Sequence, residues 1–254
     1  WGDRFYQPKW ISTHYTLLDL RNLSLNPENG ISKEAIELTL NLGIAEDGGI
    51  PLGPSTSKYS DVCVNGMFLN YASYFKTDEK KLCPIVNCIL NEIMSDGGFN
   101  CQTNRSGARH SSLHSTISAL EGLIAYQKAG YSYRLNELQN AQKSAEEFIL
   151  LHQLFLSDHT GEIIRKDFLN LPYPSRWKYD ILRALDYFQY SGSKWDERMN
   201  PAIQVLLKKQ NNDSTWNVQA KHPGKVHFEM EKAGKPSRWN TLRAMRVLEH
   251  FKIE

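Results

Sequence analysis

Cationic and aromatic side chains fall together at four places in this 254-residue chain. Lys9, Trp10 and His14 form the first group, and Arg105, Arg109 and His110 the second. Arg176, Trp177, Tyr179 and Asp180 form the third, and Arg238 with Trp239 the fourth. Cations at one rim of a cavity hold a phosphate or carboxylate. Aromatic walls hold an apolar or sugar ligand. Pro174-Ser175-Arg176-Trp177 recurs as Pro236-Ser237-Arg238-Trp239. A repeated Arg-Trp pair also fits a second role, stacking that seals adjacent repeats. Arg105, Arg109 and His110 are not repeated. The ligand-binding candidates are His14, Arg105, Arg109, His110, Arg176 and Tyr179.

The elements that must position these groups are helices. Leu82, Ile85, Val86, Ile89, Leu90 and Ile93 follow the spacing of one helix face, as do Leu138, Ala141, Ala145, Phe148 and Ile149. Sustained alternation is scarce, which argues against a large sheet. One-sided, charged helices are predicted over 33–43, 79–94, 137–155 and 198–210. Helices apolar around most of their circumference are predicted over 13–25, 61–75, 113–128, 178–190 and 239–251. The two kinds alternate along the chain. The second kind belongs between neighbours and the first outside them.

Repetition supports this arrangement. Asp47-Gly48-Gly49-Ile50 follows one outer helix, and Asp96-Gly97-Gly98-Phe99 follows the next, 49 residues later. Asp158-His159-Thr160-Gly161 is a weaker copy, and Asp213-Ser214-Thr215-Trp216 closes the fourth outer helix. His14-Tyr15-Thr16 and His114-Ser115-Thr116 open two inner helices at an offset of 100. Repeats of helix pairs stack to complete a common core. A glycine after each helix permits the left-handed turn that ends it, and the Asp satisfies backbone donors in that turn. This assigns Asp47, Asp96 and Asp213 to structure.

Composition narrows the function classes. The 30 Lys+Arg against 28 Asp+Glu leave +2, without the basic excess of a dedicated nucleic-acid binder. No apolar run approaches the ~18 residues of a membrane span. The four cysteines are too few for a disulfide-built scaffold and form no CxxC pair. They are expected to be reduced and mostly buried, in a cytoplasmic compartment. P-loop, GxGxxG, GxSxG and HExxH motifs are missing.

A helix pair closed by a Gln and an Asp-Gly-aromatic turn resembles the repeat of the terpenoid cyclase and protein prenyltransferase superfamily. Leu206 to Trp216 resembles its QW-type motif. The resemblance spans most of the chain. It implies one all-α domain over 1–254, an α/α toroid, complete or partial, of alternating inner and outer helices. Trp1-Gly2 looks like the tail of a further upstream repeat. Gly48-Gly49-Ile50, Gly53, Lys58, Asp61 and Cys63 look closest to the prenyltransferase β subunit. That likeness implies zinc held by Asp61, Cys63 and His114, and a diphosphate met by Lys58. Ser55 and Val64 depart from the family pattern, which has Arg and Tyr there. Carboxylate, thiolate and imidazole suit a tetrahedral zinc with one open position, and a zinc-bound thiol is an activated nucleophile. Asp61 and Cys63 would then carry catalysis. The same residues also fit plain structure: Asp61 a helix cap, Cys63 a core side chain and His114 a hydrogen-bonded polar group.

The leading expectation is a prenyltransferase- or terpene-cyclase-like protein with an isoprenoid or similar apolar ligand, with or without a diphosphate, in a central cavity. A protein partner is allowed. The Asp-x-Asp-Asp and Asp-Asp-x-x-Asp motifs of the superfamily are missing, which disfavours a standard triterpene cyclase. Two alternatives stand beside it. One is a carbohydrate-active enzyme on a helical toroid, which would use paired carboxylates, Asp61 and Asp180, with His14 or Tyr179. The other is a non-catalytic binding or scaffold relative.

Overall fold

The computed structural model describes residues 5–52, 58–102 and 106–253. It is mostly helical, and its one named sheet is a pair of two-residue strands. The chain divides into two compact units. The first holds residues 1–146 with 224–227, and the second 147–223 with 228–254.

In the first unit, α1 (Thr13–Asn22), α2 (Gly30–Asn41), α3 (Val62–Tyr74), α4 (Glu79–Asn91) and α5 (Leu113–Lys128) follow in order. The helix α6 (Leu135–Leu151) spans the division between units. The predicted division into two kinds of helix holds here. In α3 every residue from Val62 to Ser73 is buried, whereas α4 buries only Leu82, Ile85, Val86, Cys88 and Ile89. The α3 and α5 backbones meet directly at two glycines. A Cβ on Gly66 would stand 2.3 Å from the Ser118 carbonyl oxygen, and one on Gly122 would stand 2.4 Å from that of Gly66. Residues 224–227 return to this unit, where the Trp10 N–H donates to the Lys225 carbonyl at 2.6 Å.

In the second unit, a 3₁₀ turn at Lys166–Leu169 precedes α7 (Ile181–Ser191). A second 3₁₀ turn at Glu197–Met199 leads into α8 (Asn200–Lys208), and β1 (Trp216–Asn217), β2 (Pro236–Ser237) and α9 (Arg238–Phe251) complete the unit. The strands are antiparallel, with Trp216 opposite Ser237. The Trp216 indole is buried and its N–H donates to the Leu206 carbonyl at 2.8 Å, closing the predicted Leu206–Trp216 motif. One expectation is corrected: α9 is one-sided. It buries Asn240, Ala244 and Val247, while Leu242 and Met245 are 47% and 57% exposed. Its apolar residues lie on two faces, and only one meets α7 and the strands.

The turns at Asp47 and Asp96 share one hydrogen-bond plan, whereas Asp213 accepts from the Thr215 N–H and hydroxyl within its own turn. Gly48 and Gly97 sit at φ +87° and +93°, and Ser214 takes the same left-handed position at +62°. Asp47 accepts from the Ser60 backbone N–H at 2.5 Å and its hydroxyl at 3.1 Å. Asp96 accepts from Ser111 in the same way, at 2.8 Å and 2.5 Å. Each acid therefore ties its turn to the residue just ahead of the next inner helix. The turn's last residue then reaches that helix: the N–H groups of Ile50, Phe99 and Trp216 donate to the side chains of Asn65, Thr116 and Thr241. The predicted structural role of these acids is what the geometry displays.

Candidate functional site

Two clusters of chemistry-bearing side chains stand at helix starts, one in each unit. The first lies where the Asp turns have fixed α3 and α5. The ligand atoms of Asp61, Cys63 and Cys101 all lie within 4.8 Å of one another. Asp61 and Cys63 are 8% and 9% exposed. Asp61 occupies the N-cap position of α3, yet its side chain makes no capping hydrogen bond. The Cys101 sulfur accepts from the Cys63 backbone N–H at 3.3 Å and from the Ser115 hydroxyl at 3.3 Å. These donors pull the Cys101 thiol pKa down, the Cys63 side chain contributing most, while burial opposes them. Cys63 and Cys88 are buried, and Cys83 and Cys101 are half-buried.

Tyr6 borders the same cluster. Burial raises its phenol pKa, and the charges of Cys63, Asp61 and Cys101 add to that rise. Its hydroxyl accepts from Tyr15 at 2.8 Å. Its ring packs on His14 at 5.5 Å between centroids. His14 is fully buried, with Nδ1 3.2 Å from the Tyr71 hydroxyl. Nε2 has no hydrogen-bond partner among the described residues. Burial, helped by Lys9, holds the His14 pKa down at about 3, so the ring is neutral at ordinary pH.

The second cluster precedes α7. Asp180 caps that helix, accepting from the Arg183 N–H at 2.9 Å and the Ser175 hydroxyl at 3.0 Å. It is fully buried, which raises its carboxyl pKa against the pull of Arg243 and these donors. Arg176 is 7% exposed and sits at φ +59°, a left-handed conformation that costs a non-glycine residue ~1–3 kcal/mol. His222 is half-buried with its pKa held down at about 4, by burial first and then by Lys178, Arg176 and Arg183. Those effects place three cations around one neutral imidazole. Trp177 is half-buried beneath Lys178, whose ammonium lies 5.7 Å from the ring. Tyr173 and Trp239 stack at 5.5 Å with 12° between planes, and Tyr173 and Asp180 both act on Arg243.

The predicted residues are thus divided. Asp61 and Cys63 come together, but Cys101 joins them where the sequence suggested His114. His114 is half-buried on α5, outside that group. Lys58, Arg109 and His110 are exposed. Arg105 lies outside the described residues. The Tyr179 hydroxyl is committed to the Leu154 carbonyl at 2.5 Å inside the second unit. Cys101, Tyr6 and His222 were missed. Cys101 directly follows the Asp96–Phe99 turn and Asn100, and that placement beside the next inner helix was its only signal.

No protein-family model matches the chain, and no curated protein matches it. A solved structure does: a glycosyl hydrolase family 88 protein from Bacteroides vulgatus. The two are 10% identical, with a TM-score of 0.53, over 94% of this chain and 73% of that one. At that identity the likeness concerns the fold alone. The resemblance to prenyltransferases and terpenoid cyclases gains no support from these comparisons. Among the described residues no helix is long and apolar enough to cross a membrane.

Proposed function

We propose that the chain is a carbohydrate-active protein on an α/α toroid, and that it takes a sugar bearing an anionic group at the start of α7. The observation that carries this reading is the second cluster: the Trp177 indole under Lys178, with Arg176, Lys178 and Arg183 acting on His222, and a stacked Tyr173–Trp239 pair in the same unit. Aromatic faces suit the apolar face of a sugar ring, and a few placed polar groups fix its orientation. Guanidinium forks suit a carboxylate or phosphate, which they hold bidentately. The helical likeness to a glycosyl hydrolase over 94% of the chain supports the same reading.

The roles then divide by burial. Trp177 stacks on the ring, and Arg176 with Lys178 neutralises the anion. Asp180, fully buried and engaged as a helix cap, positions the turn that carries them. Cleavage of a glycosidic bond calls for a pair of carboxyl groups, so the assay must read binding and hydrolysis separately. The protein is titrated calorimetrically with acidic oligosaccharides, their neutral counterparts and an isoprenoid diphosphate, and sugar release is followed in parallel. The reading expects binding of an acidic sugar, weaker binding of its neutral counterpart, and at least tenfold loss in Trp177→Ala. Binding of the isoprenoid diphosphate alone would replace this reading with the isoprenoid one.

A further inference from the structure

The cluster of Asp61, Cys63 and Cys101 has a donor set of its own: two sulfurs and one carboxylate, drawn from the head of α3 and the turn ahead of α5. We infer that these three residues bind a thiophilic divalent cation of the zinc class, with Cys101 as the third protein ligand and a fourth position open. The inference goes beyond the carbohydrate reading and does not rest on it.

Distance is the first argument. Zinc–sulfur bonds of ~2.3 Å in a tetrahedron place two sulfurs ~3.8 Å apart. The observed limit of 4.8 Å between any two ligand atoms leaves about an ångström or less to close. Donor chemistry is the second. Thiolates select zinc-class ions over magnesium and calcium, which take oxygen ligands. Support around the ligands is the third. The Cys101 sulfur already accepts from two donors, the Cys63 N–H and the Ser115 hydroxyl. Ser115 Oγ in turn accepts from the Cys101 N–H at 3.2 Å. Such outer contacts orient a ligand and stabilise its charge.

The test uses zinc and cobalt alone. Protein purified without chelator is assayed for metal, beside Cys101→Ser, Cys63→Ser, His114→Ala and Cys83→Ser. The inference expects about one zinc per chain in wild type, His114→Ala and Cys83→Ser, and loss in Cys101→Ser and Cys63→Ser. Circular dichroism checks that each variant keeps its helices. Ser115→Ala, which leaves all three ligands in place, should bind zinc ~10–100-fold more weakly. Cobalt substitution supplies the signature of thiolate ligation, a sulfur-to-cobalt charge-transfer band that Cys101→Ser diminishes. Wild type that takes up no zinc overturns the inference. So does full zinc in Cys101→Ser, or loss in His114→Ala with Cys101→Ser intact.

Discussion

Replacing Gly66 by alanine should destabilise this protein, the opposite of an ordinary helical Gly→Ala change. In an exposed helix interior the change gains ~1 kcal/mol, because glycine is the poorer helix former. At Gly66 the added Cβ would stand 2.3 Å from Ser118 O, 2.6 Å from Ser118 C and 2.7 Å from Ala119 Cα. Unstrained carbon contacts lie at ~3.5–4.0 Å. The obstacle is backbone, so α3 and α5 must part by about an ångström at their crossing. Overpacking costs ~1–3 kcal/mol where side chains can yield, and here none can. We expect a net loss of ~2 kcal/mol or more, a fall in Tm of about 4–8 °C for a chain of this size. Gly122→Ala strikes the same crossing from the other side, so the double variant should cost less than the sum. Gly30→Ala, with nothing within 4 Å of its Cβ, is the control and should not destabilise. Urea denaturation of the four proteins reads all of this. A Gly66→Ala protein as stable as wild type would refute the close crossing of α3 and α5.

Other expectations follow from the same contacts. His14 and His222 are held near 3 and 4, below the unfolded value of 6.5. The unfolded chain therefore binds more protons, and stability falls as pH drops below about 6.5 by up to ~1.4 kcal/mol per unit for each. His14→Gln should flatten that slope in denaturation between pH 6.5 and 4; an unchanged slope would count against its burial. Ser214→Gly removes a left-handed serine and should raise stability by ~1 kcal/mol, read as a higher urea midpoint. Asp47→Ala leaves the Ser60 and Gly49 donors without their acceptor and should cost ~1–3 kcal/mol in the same assay.

Helix identity was legible because periodicity reports burial directly. Leu113–Lys128 matches its expected bounds, and Asp47 and Asp96 serve their turns as expected. Starts were less legible. The segment predicted over 33–43 begins at Gly30, because Asn29 caps it through the Ser32 N–H at 2.9 Å. The face of α9 that stays exposed could not be read from its own residues, since exposure depends on what packs there. The candidate site was half legible. Asp61 and Cys63 share one helix start, so their spacing shows them together. Cys101 reaches them across 38 residues of sequence, where the Cys63 N–H and the Ser115 hydroxyl both donate to its sulfur. His222 is equally remote from the residues it joins.

The central claim, a sugar with an anionic group at the start of α7, is tested most directly by a crystal structure with a bound acidic oligosaccharide. The account predicts a sugar ring against Trp177 with its anionic group within hydrogen-bond reach of Arg176. A sugar bound elsewhere, or crystals that take up none at saturating concentration, would contradict it.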